Sequence, residues 1–427
     1  MRILVVGGGG REHALCWALR RDFPEATLFA APGNPGTALL ATNLPIAATA
    51  IDDLVAAVAA RRIDLTVIGP EASLAAGLGD QLRAAGRAVF GPTQAAARLE
   101  TSKAFAKEVM RRSGVPTATS RTFSDVVPAL VYIDTHPAPL VVKASGLAAG
   151  KGVVVCASRA EAARTARAML QGNAFGDAGR EIVVEAFLEG EELSVLALTD
   201  GEQISILPPA QDHKRLEDGD AGPNTGGMGA YCPVSLATPA LLDRVRREVL
   251  EPSLGELASR GTPYQGVLYA GLMVAPDGTV RVLEFNCRFG DPEAQAVLPV
   301  LPIGATADLL AIATGHWRPS HDMIPVSAAV TTVLAARGYP EQPEAGAAIE
   351  VPPDLGPDVM VFHAGTTRDA GGTLRVAGGR VLAVTALAAN VTTAARMSAD
   401  ACARIAFEGK RYRSDIGWRE IARAGAA

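Results

Sequence analysis

Residues 3–6 form an unbroken apolar run that leads straight into four glycines, Gly7 to Gly10, and then into a helix-like stretch over about 12–20. A strand with no polar alternation must be buried on both faces, a condition met in parallel sheets covered by helices. The pattern recurs through the first hundred residues. Segments 27–30, 64–68 and 88–90 read as further strands, closed by Pro32-Gly33, Gly69-Pro70 and Gly91-Pro92. Strands alternating with helices predict an open parallel α/β sheet, with ligands beyond the carboxyl ends of its strands.

The pattern changes near Thr101. A helix is expected over 102–112, a strand over 140–143, the loop SGLAAGKG at 145–152, a strand over 152–156 and a helix over 159–170. Two more strands are expected at 181–187 and 193–198, and a hairpin at 266–275 and 279–285 joined by Asp277-Gly278. Residues 211–231 carry almost no apolar periodicity and are rich in Gly, Asp, Asn and Pro, so they read as a long loop, either a cover over a site or disordered. The stretch RPSHDMIP at 318–325 looks like a linker to strands at 327–334, 359–364 and 380–385 and a helix around 390–407. The expected organisation is an N-terminal α/β domain (1–101), a central region (102–317) with a smaller lobe at about 120–190, and a C-terminal α+β domain (326–427).

Among 427 residues the net charge is -5, which carries no general nucleic-acid footprint. Five cysteines are scattered without a C-x-x-C pair, as expected of reduced thiols in a cytoplasmic protein. There is no signal-peptide pattern and no uncharged apolar run of about 18 residues, so neither export nor a membrane span is expected. A monomer is the simplest assembly compatible with these features.

Three segments carry chemistry. In SGLAAGKG, glycines allow close backbone approach, and successive N–H groups with Lys151 can cradle phosphate oxygens. A flexible hairpin with exposed lysines has the same composition. The segment from Glu185 to Glu192 leads one strand into another; its backbone can hydrogen-bond an adenine edge and a following carboxylate can take ribose hydroxyls, although a solvated acidic turn would look alike. On the strand ending at 284–288, alternation places Glu284, Asn286 and Arg288 on one face. A carboxylate and an amide oxygen two residues apart suit Mg²⁺, and Arg288 suits a phosphoryl or carboxylate group. A strand-end salt bridge is the alternative for Glu284 and Arg288. At the N-terminus, Gly7 to Gly10 lack the third glycine of a dinucleotide fingerprint, Glu12 standing there instead. The strand–Gly–helix junction, with Arg11, still reads as an anion site fitted to a phosphorylated sugar.

Taken in order, GREHAL (10–15), APGNPGT (31–37), IGPEA (68–72), SKAF (102–105), KASGLAAGKGV (143–153), GNAFGDAG (172–179), QDHKR (211–215), GPNTGGMGAY (222–231) and EFNCRFGDPE (284–293) resemble the phosphoribosylamine–glycine ligase family of ATP-grasp enzymes. FHAGT (362–366), GGRVL (378–382) and DIGW (415–418) extend the resemblance to the end of the chain.

The resemblance implies an ATP-grasp fold with a two-lobed nucleotide region, and glycine and 5-phosphoribosylamine as small-molecule substrates. It implies ATP contacts from Lys103, Lys143, Gly146, Gly150 and Lys151, from the hinge Glu185, Phe187 and Leu188, and from Glu192. It also implies Mg²⁺ or Mn²⁺ on Glu284 and Asn286. Substrate contacts are implied for Gly10, Arg11, Glu71, Asp212, Lys214, Arg288 and Asp291, with Lys143, Arg288 and Asp291 as catalytic groups. Two positions depart from the family pattern: Ser145 stands where Asp is usual, and Ala210 where Ser is usual. Fold alone leaves room for another carboxylate–amine ligase, and the N-terminal glycines for a nicotinamide-dependent oxidoreductase.

Overall fold

Five parallel strands build the N-terminal sheet in the order Thr42–Asn43, Thr27–Pro32, Arg2–Gly7, Leu65–Ile68, Val89–Phe90. Its central strand is sealed on both faces: Ile3, Leu4, Val5 and Val6 are fully buried. That is the arrangement expected of an uninterrupted apolar run. The computed structural model describes residues 1–148, 152–172, 176–319, 321 and 323–426.

Two further sheets face each other across the middle of the molecule. One is antiparallel, in the order Ile204–Ile206, Glu191–Thr199, Gly266–Val274, Val280–Asn286. The other belongs to the smaller lobe, in the order Ser120–Phe123, Ile182–Ala186, Leu140–Ala144, Val153–Cys156, and is packed by the helices Val126–Thr135 and Arg159–Gln171. Ala129, Val142, Ala166 and Ile182 fill a core of the lobe's own. By contrast, Leu4, Leu268 and Val330 share one apolar cluster, so the N-terminal, central and C-terminal sheets close on a common interior.

The C-terminal sheet corrects one expectation. Its order is Gln211–Asp212, Gly229–Cys232, Ala328–Ala335, Arg380–Ala388, Val359–His363, so two of its strands come from the segment read as a loop. Residues 211–232 are therefore structured and belong to a sheet that also contains strands beyond residue 326. A short ribbon, Arg215–Glu217 with Ala221–Asn224, completes the segment. These strands are too short for a sequence period to register, and the partner of Gly229–Cys232 on its other side, Ala328–Ala335, lies about a hundred residues away. Among the described residues, no helix is long and apolar enough to cross a membrane.

The N- and C-terminal sheets meet at two histidines. The His363 N–H donates to His13 Nδ1 at 2.8 Å, and Asn34 Nδ2 donates to the His363 carbonyl at 2.8 Å and to the Gly8 carbonyl at 3.0 Å. Burial pushes His13 down to about 3, with His363 adding to the shift, and burial pushes His363 down to about 4, with Arg368 adding to it. Both rings are thus neutral in the folded protein, whereas in the unfolded chain they take up protons near pH 6.5. The unfolded state then binds more protons between these limits, and stability falls as pH drops. The free energy of unfolding is expected to decline below pH 6.5 by about 1.4 kcal/mol per pH unit for each ring. Urea titrations from pH 7 to 5 check this, and His13→Asn, which keeps an acceptor near Nδ1, should flatten the slope.

Candidate active site

Where the smaller lobe, the central sheet and the C-terminal sheet converge, a cleft of about 520 Å³ opens. Its charged lining falls into three groups. The first spans the two lobes. Lys143, on the lobe strand, pairs with Glu185 and also reaches across to donate to the Leu283 carbonyl at 3.1 Å. That carbonyl lies where the register between Gly266–Val274 and Val280–Asn286 shifts. Lys107 binds the other oxygen of Glu185 at 2.6 Å. Lys103 lies close by, and burial pulls its ammonium below the ordinary lysine range, with Lys143 adding to the shift. Phe187 and Leu188 line the same end of the cleft.

The phosphate-loop expectation is only partly visible. Gly146 is not among the residues that line the cleft; its N–H donates to the Ala178 carbonyl at 3.2 Å and its own carbonyl lies 3.4 Å from Lys103 Nζ. Gly150 and Lys151 lie outside the described residues. Ser145, in place of the usual Asp, is buried and acts as a structural acceptor. Its Oγ takes the Ala104 N–H at 3.1 Å, in the first turn of the helix Lys103–Ser113. A neutral hydroxyl can satisfy an otherwise orphaned helix N–H, so the departure keeps the contact and loses the charge.

The second group gathers on the central sheet and on residues 211–214. Glu284 and Asn286 both face the cleft, opposite Gly271 and Tyr269 in register. Burial raises the Glu284 carboxyl, but Lys214, Lys143 and Lys103 outweigh it and hold the group below its usual range. Lys214 pairs with Glu192. Asp212 has the opposite environment: burial pushes it up to about 8, Lys214 opposes the shift, and Glu293, Glu192 and Glu284 reinforce it. Glu293 itself accepts from Tyr269 Oη at 2.6 Å and Ser194 Oγ at 3.2 Å. Among the described residues, no group of three or more His, Cys, Asp or Glu could hold a metal ion. The oxygen pair Glu284 and Asn286 still fits Mg²⁺, which takes few protein ligands and completes its shell from phosphates and water.

At the third group, arginines and carboxylates interlock. Arg288 binds Glu71 at 3.3 Å and Glu100 at 2.8 Å, so its partners are these two and not Glu284. Arg380, from the C-terminal sheet, pairs with Asp291 at 3.2 Å and donates to the Asp291 and Gly226 carbonyls at 2.7 and 2.6 Å. Gln295 Nε2 holds the other carboxylate oxygen of Asp291 at 2.8 Å. Arg11 lines this end and binds Glu12 at 2.6 Å. Gly10 stands behind Arg11, where a Cβ would come within 2.5 Å of Gln295 Nε2.

At the anion site expected at Gly7 to Gly10, the chain's own Glu12 takes one of the backbone donors. The Glu12 side chain folds back to accept the Gly9 N–H at 2.7 Å. It fills the space beside Gly7 and Gly69, where a Cβ would lie 2.5 and 2.1 Å from Glu12 atoms. An internal carboxylate therefore caps the Gly9 N–H at this helix N-terminus, and its side chain crowds the turn beside Gly7 where a dinucleotide fingerprint would have its third glycine.

Lys107, Glu100, Tyr269, Glu293 and Arg380 also line the cleft and were not singled out from sequence. Two of them lie inside quoted motifs, Glu293 in EFNCRFGDPE and Arg380 in GGRVL.

A nucleotide-sized cleft between two antiparallel sheets, with lysines on one side and an acidic strand on the other, defines an ATP-grasp ligase. The chain matches the family models described as phosphoribosylglycinamide synthetase N domain (residues 1–100), ATP-grasp (A) domain (101–294) and C domain (329–419). It is 46% identical to a phosphoribosylamine–glycine ligase of Caulobacter vibrioides, covering 99% of each chain. It is 47% identical to one of Yersinia pestis, covering 99% of this chain and 100% of that one. The crystal structure of the Thermotoga maritima phosphoribosylamine–glycine ligase superposes with a TM-score of 0.87 at 34% identity, covering 97% and 100%. A biotin carboxylase domain from Hydrogenobacter thermophilus, in complex with MgADP, shares the fold alone at 18% identity, with a TM-score of 0.71 and coverage of 96% and 91%. The chain belongs to the phosphoribosylamine–glycine ligase family.

Removing Arg288 strands Glu100, which burial already pushes upward and whose Oε2 accepts the Cys287 N–H at 2.7 Å. Arg288→Met is expected to lower the unfolding free energy by about 3–5 kcal/mol, the typical cost of leaving a buried charge without its partner. Urea denaturation measures it, and a loss below about 1 kcal/mol would show the pair to be solvated.

Proposed function

We propose that this chain performs the ATP-dependent ligation of glycine to 5-phosphoribosylamine through glycyl phosphate, giving glycinamide ribonucleotide, ADP and phosphate, a step of purine biosynthesis. The observation that carries this reading is the assembly, in one cleft, of lysines from both sides, the Glu284 and Asn286 oxygen pair and the Arg288 and Asp291 cluster. It stands in a chain 46% identical to a ligase of that name along 99% of its length.

In this reading the glycine carboxylate attacks the γ-phosphorus of ATP, forming glycyl phosphate and releasing ADP. The amine of phosphoribosylamine then attacks the acyl carbon, and phosphate leaves. Phosphoryl transfer asks mainly for positioning and charge neutralisation. Lys103 and Lys143 supply positive charge to the phosphates, Lys143 exchanging Glu185 for phosphate oxygens. The backbone at 185–188 receives the adenine and Glu192 the ribose hydroxyls. Glu284 and Asn286 hold the divalent cation, which when bound offsets the charge of the phosphate oxygens. Arg11, Glu71, Arg288 and Asp291 orient the phosphoribosylamine, with Gly10 leaving room behind Arg11. Asp212 and Lys214 face the reacting groups from the C-terminal sheet.

Acyl phosphates hydrolyse, so the site must exclude water. The smaller lobe, with a core of its own, is the element suited to close over the cleft. Residues 211–231, expected as a cover, are strands and a ribbon tied to the C-terminal sheet, and Asp212, Lys214, Asn224, Thr225 and Gly226 of this segment line the cleft.

Two measurements test the reading. Protein supplied with phosphoribosylamine, glycine, ATP and Mg²⁺ should yield glycinamide ribonucleotide by mass spectrometry, with ADP release at least tenfold faster for glycine than for alanine. Glu284→Ala should lower ADP formation by 100-fold or more while keeping its circular dichroism spectrum. Normal turnover in that variant would remove the cation assignment.

A further inference from the structure

The DIGW segment lies outside the cleft lining, yet it touches the one residue that separates Asp212 from Lys214. Strand alternation sends Asp212 and Lys214 into the cleft and His213 to the opposite side. His213 is buried, packed against Tyr231 with ring centroids 6.1 Å apart. Its Nε2 accepts the Gly417 N–H at 3.0 Å. An acceptor Nε2 places the proton on Nδ1, and Nδ1 faces Asp220 Oδ1 at 3.8 Å, with no hydrogen-bond partner among the described residues. Gly417 takes φ +84°, and a Cβ there would come within 3.1 Å of Val391. Only glycine adopts that backbone cheaply, so the donor is presented by a residue chosen for the turn.

Around this bond the two segments are locked together. Fully buried Arg413 binds Asp220 at 2.8 Å and Asp415 at 2.7 Å, Asp415 accepts the Gly219 N–H at 2.8 Å, and Asp218 accepts the Ser414 N–H at 2.9 Å. These bonds fix the ribbon that follows Lys214. The His213 backbone is paired with the neighbouring strand, its N–H donating to the Gly229 carbonyl at 2.9 Å and its carbonyl accepting the Met228 N–H at 2.7 Å, and the bond from Gly417 adds a hold on its side chain from the opposite side.

We propose that His213 is a positioning residue, which sets Asp212 and Lys214 in the cleft by anchoring their strand to the Gly417 N–H of the DIGW segment. It does not touch substrate; it acts through its two neighbours. The proposal rests on the ligase reading for the roles of those neighbours, and it fails separately from that reading. Wild-type product formation checks the reading, whereas ratios between variants and hydrogen exchange check the proposal.

His213→Leu fills the space without an acceptor, whereas His213→Gln places Oε1 near the position of Nε2. Both are assayed with glycine, phosphoribosylamine and MgATP well below their unfolding temperatures. His213→Leu should lose at least tenfold in kcat/KM, and His213→Gln should stay within threefold of wild type. Gly417→Ala should resemble His213→Leu, and the double variant should be no worse than the poorer single one. Hydrogen exchange of the 211–217 peptide should accelerate in His213→Leu but not in His213→Gln, a readout that needs no turnover. Equal activity in the Leu and Gln variants, fully additive losses, or unchanged exchange in His213→Leu would each overturn the proposal.

Discussion

Charge inside a cleft cannot stand unbalanced, and this constraint organises the molecule. Water is the cheapest partner for an ion, and a narrow crevice withholds it. Every cluster described here is a solution to that problem. Glu185 joins Lys107 to Lys143, and Lys143 in turn reaches the Leu283 carbonyl on the facing sheet. Glu71 and Glu100 share Arg288, and Arg380 with Gln295 holds Asp291. The partners come from sheets and from the helices packed on them, Glu71, Glu100, Lys107 and Gln295 being helical, so electrostatic balance also ties these elements to one another.

The exception is informative. Asp212 stands among Glu192, Glu284 and Glu293 with Lys214 as its main cationic neighbour, and its carboxyl is pushed well above the usual range. The site gathers negative charge around Asp212, and Glu284 links this group to the positive charge of Lys103 and Lys143. A polarised crevice of this kind suits a reaction that brings together an anionic phosphate chain and an amine. The protein contributes placement and field, and the sequence accordingly carries no triad motif for a nucleophile.

Much of this was legible before any coordinates. Continuous apolar runs closed by Gly or Pro located the parallel strands, because such runs tolerate no other environment. The D-G turn placed the hairpin that carries Glu284 and Asn286. Residues 211–232 defied the same reasoning. Their strands are two to four residues long, and they join the sheet through Gly229–Cys232, which pairs with Ala328–Ala335, a contact no local pattern announces. Glu100 and Lys107 were invisible for a related reason. A charged residue on a helix is ordinarily solvated, and only the tertiary arrangement reveals that these two are not. Glu12 was seen as a missing glycine; that its side chain fills the gap left by that glycine emerged only from the packing around Gly7, Gly9 and Gly69.

Glu12 also marks a fork in what this scaffold can become. A parallel sheet whose first turn opens a helix is a generic receptacle for phosphorylated compounds, and many chemistries share it. Here the chain carries its own anion to that place, the Glu12 carboxylate resting on the Gly9 N–H. Exchanging that one carboxylate for hydrogen would restore the missing letter of the nucleotide-cofactor signature. In the glycine pattern of this turn, the difference rests on the side chain of residue 12.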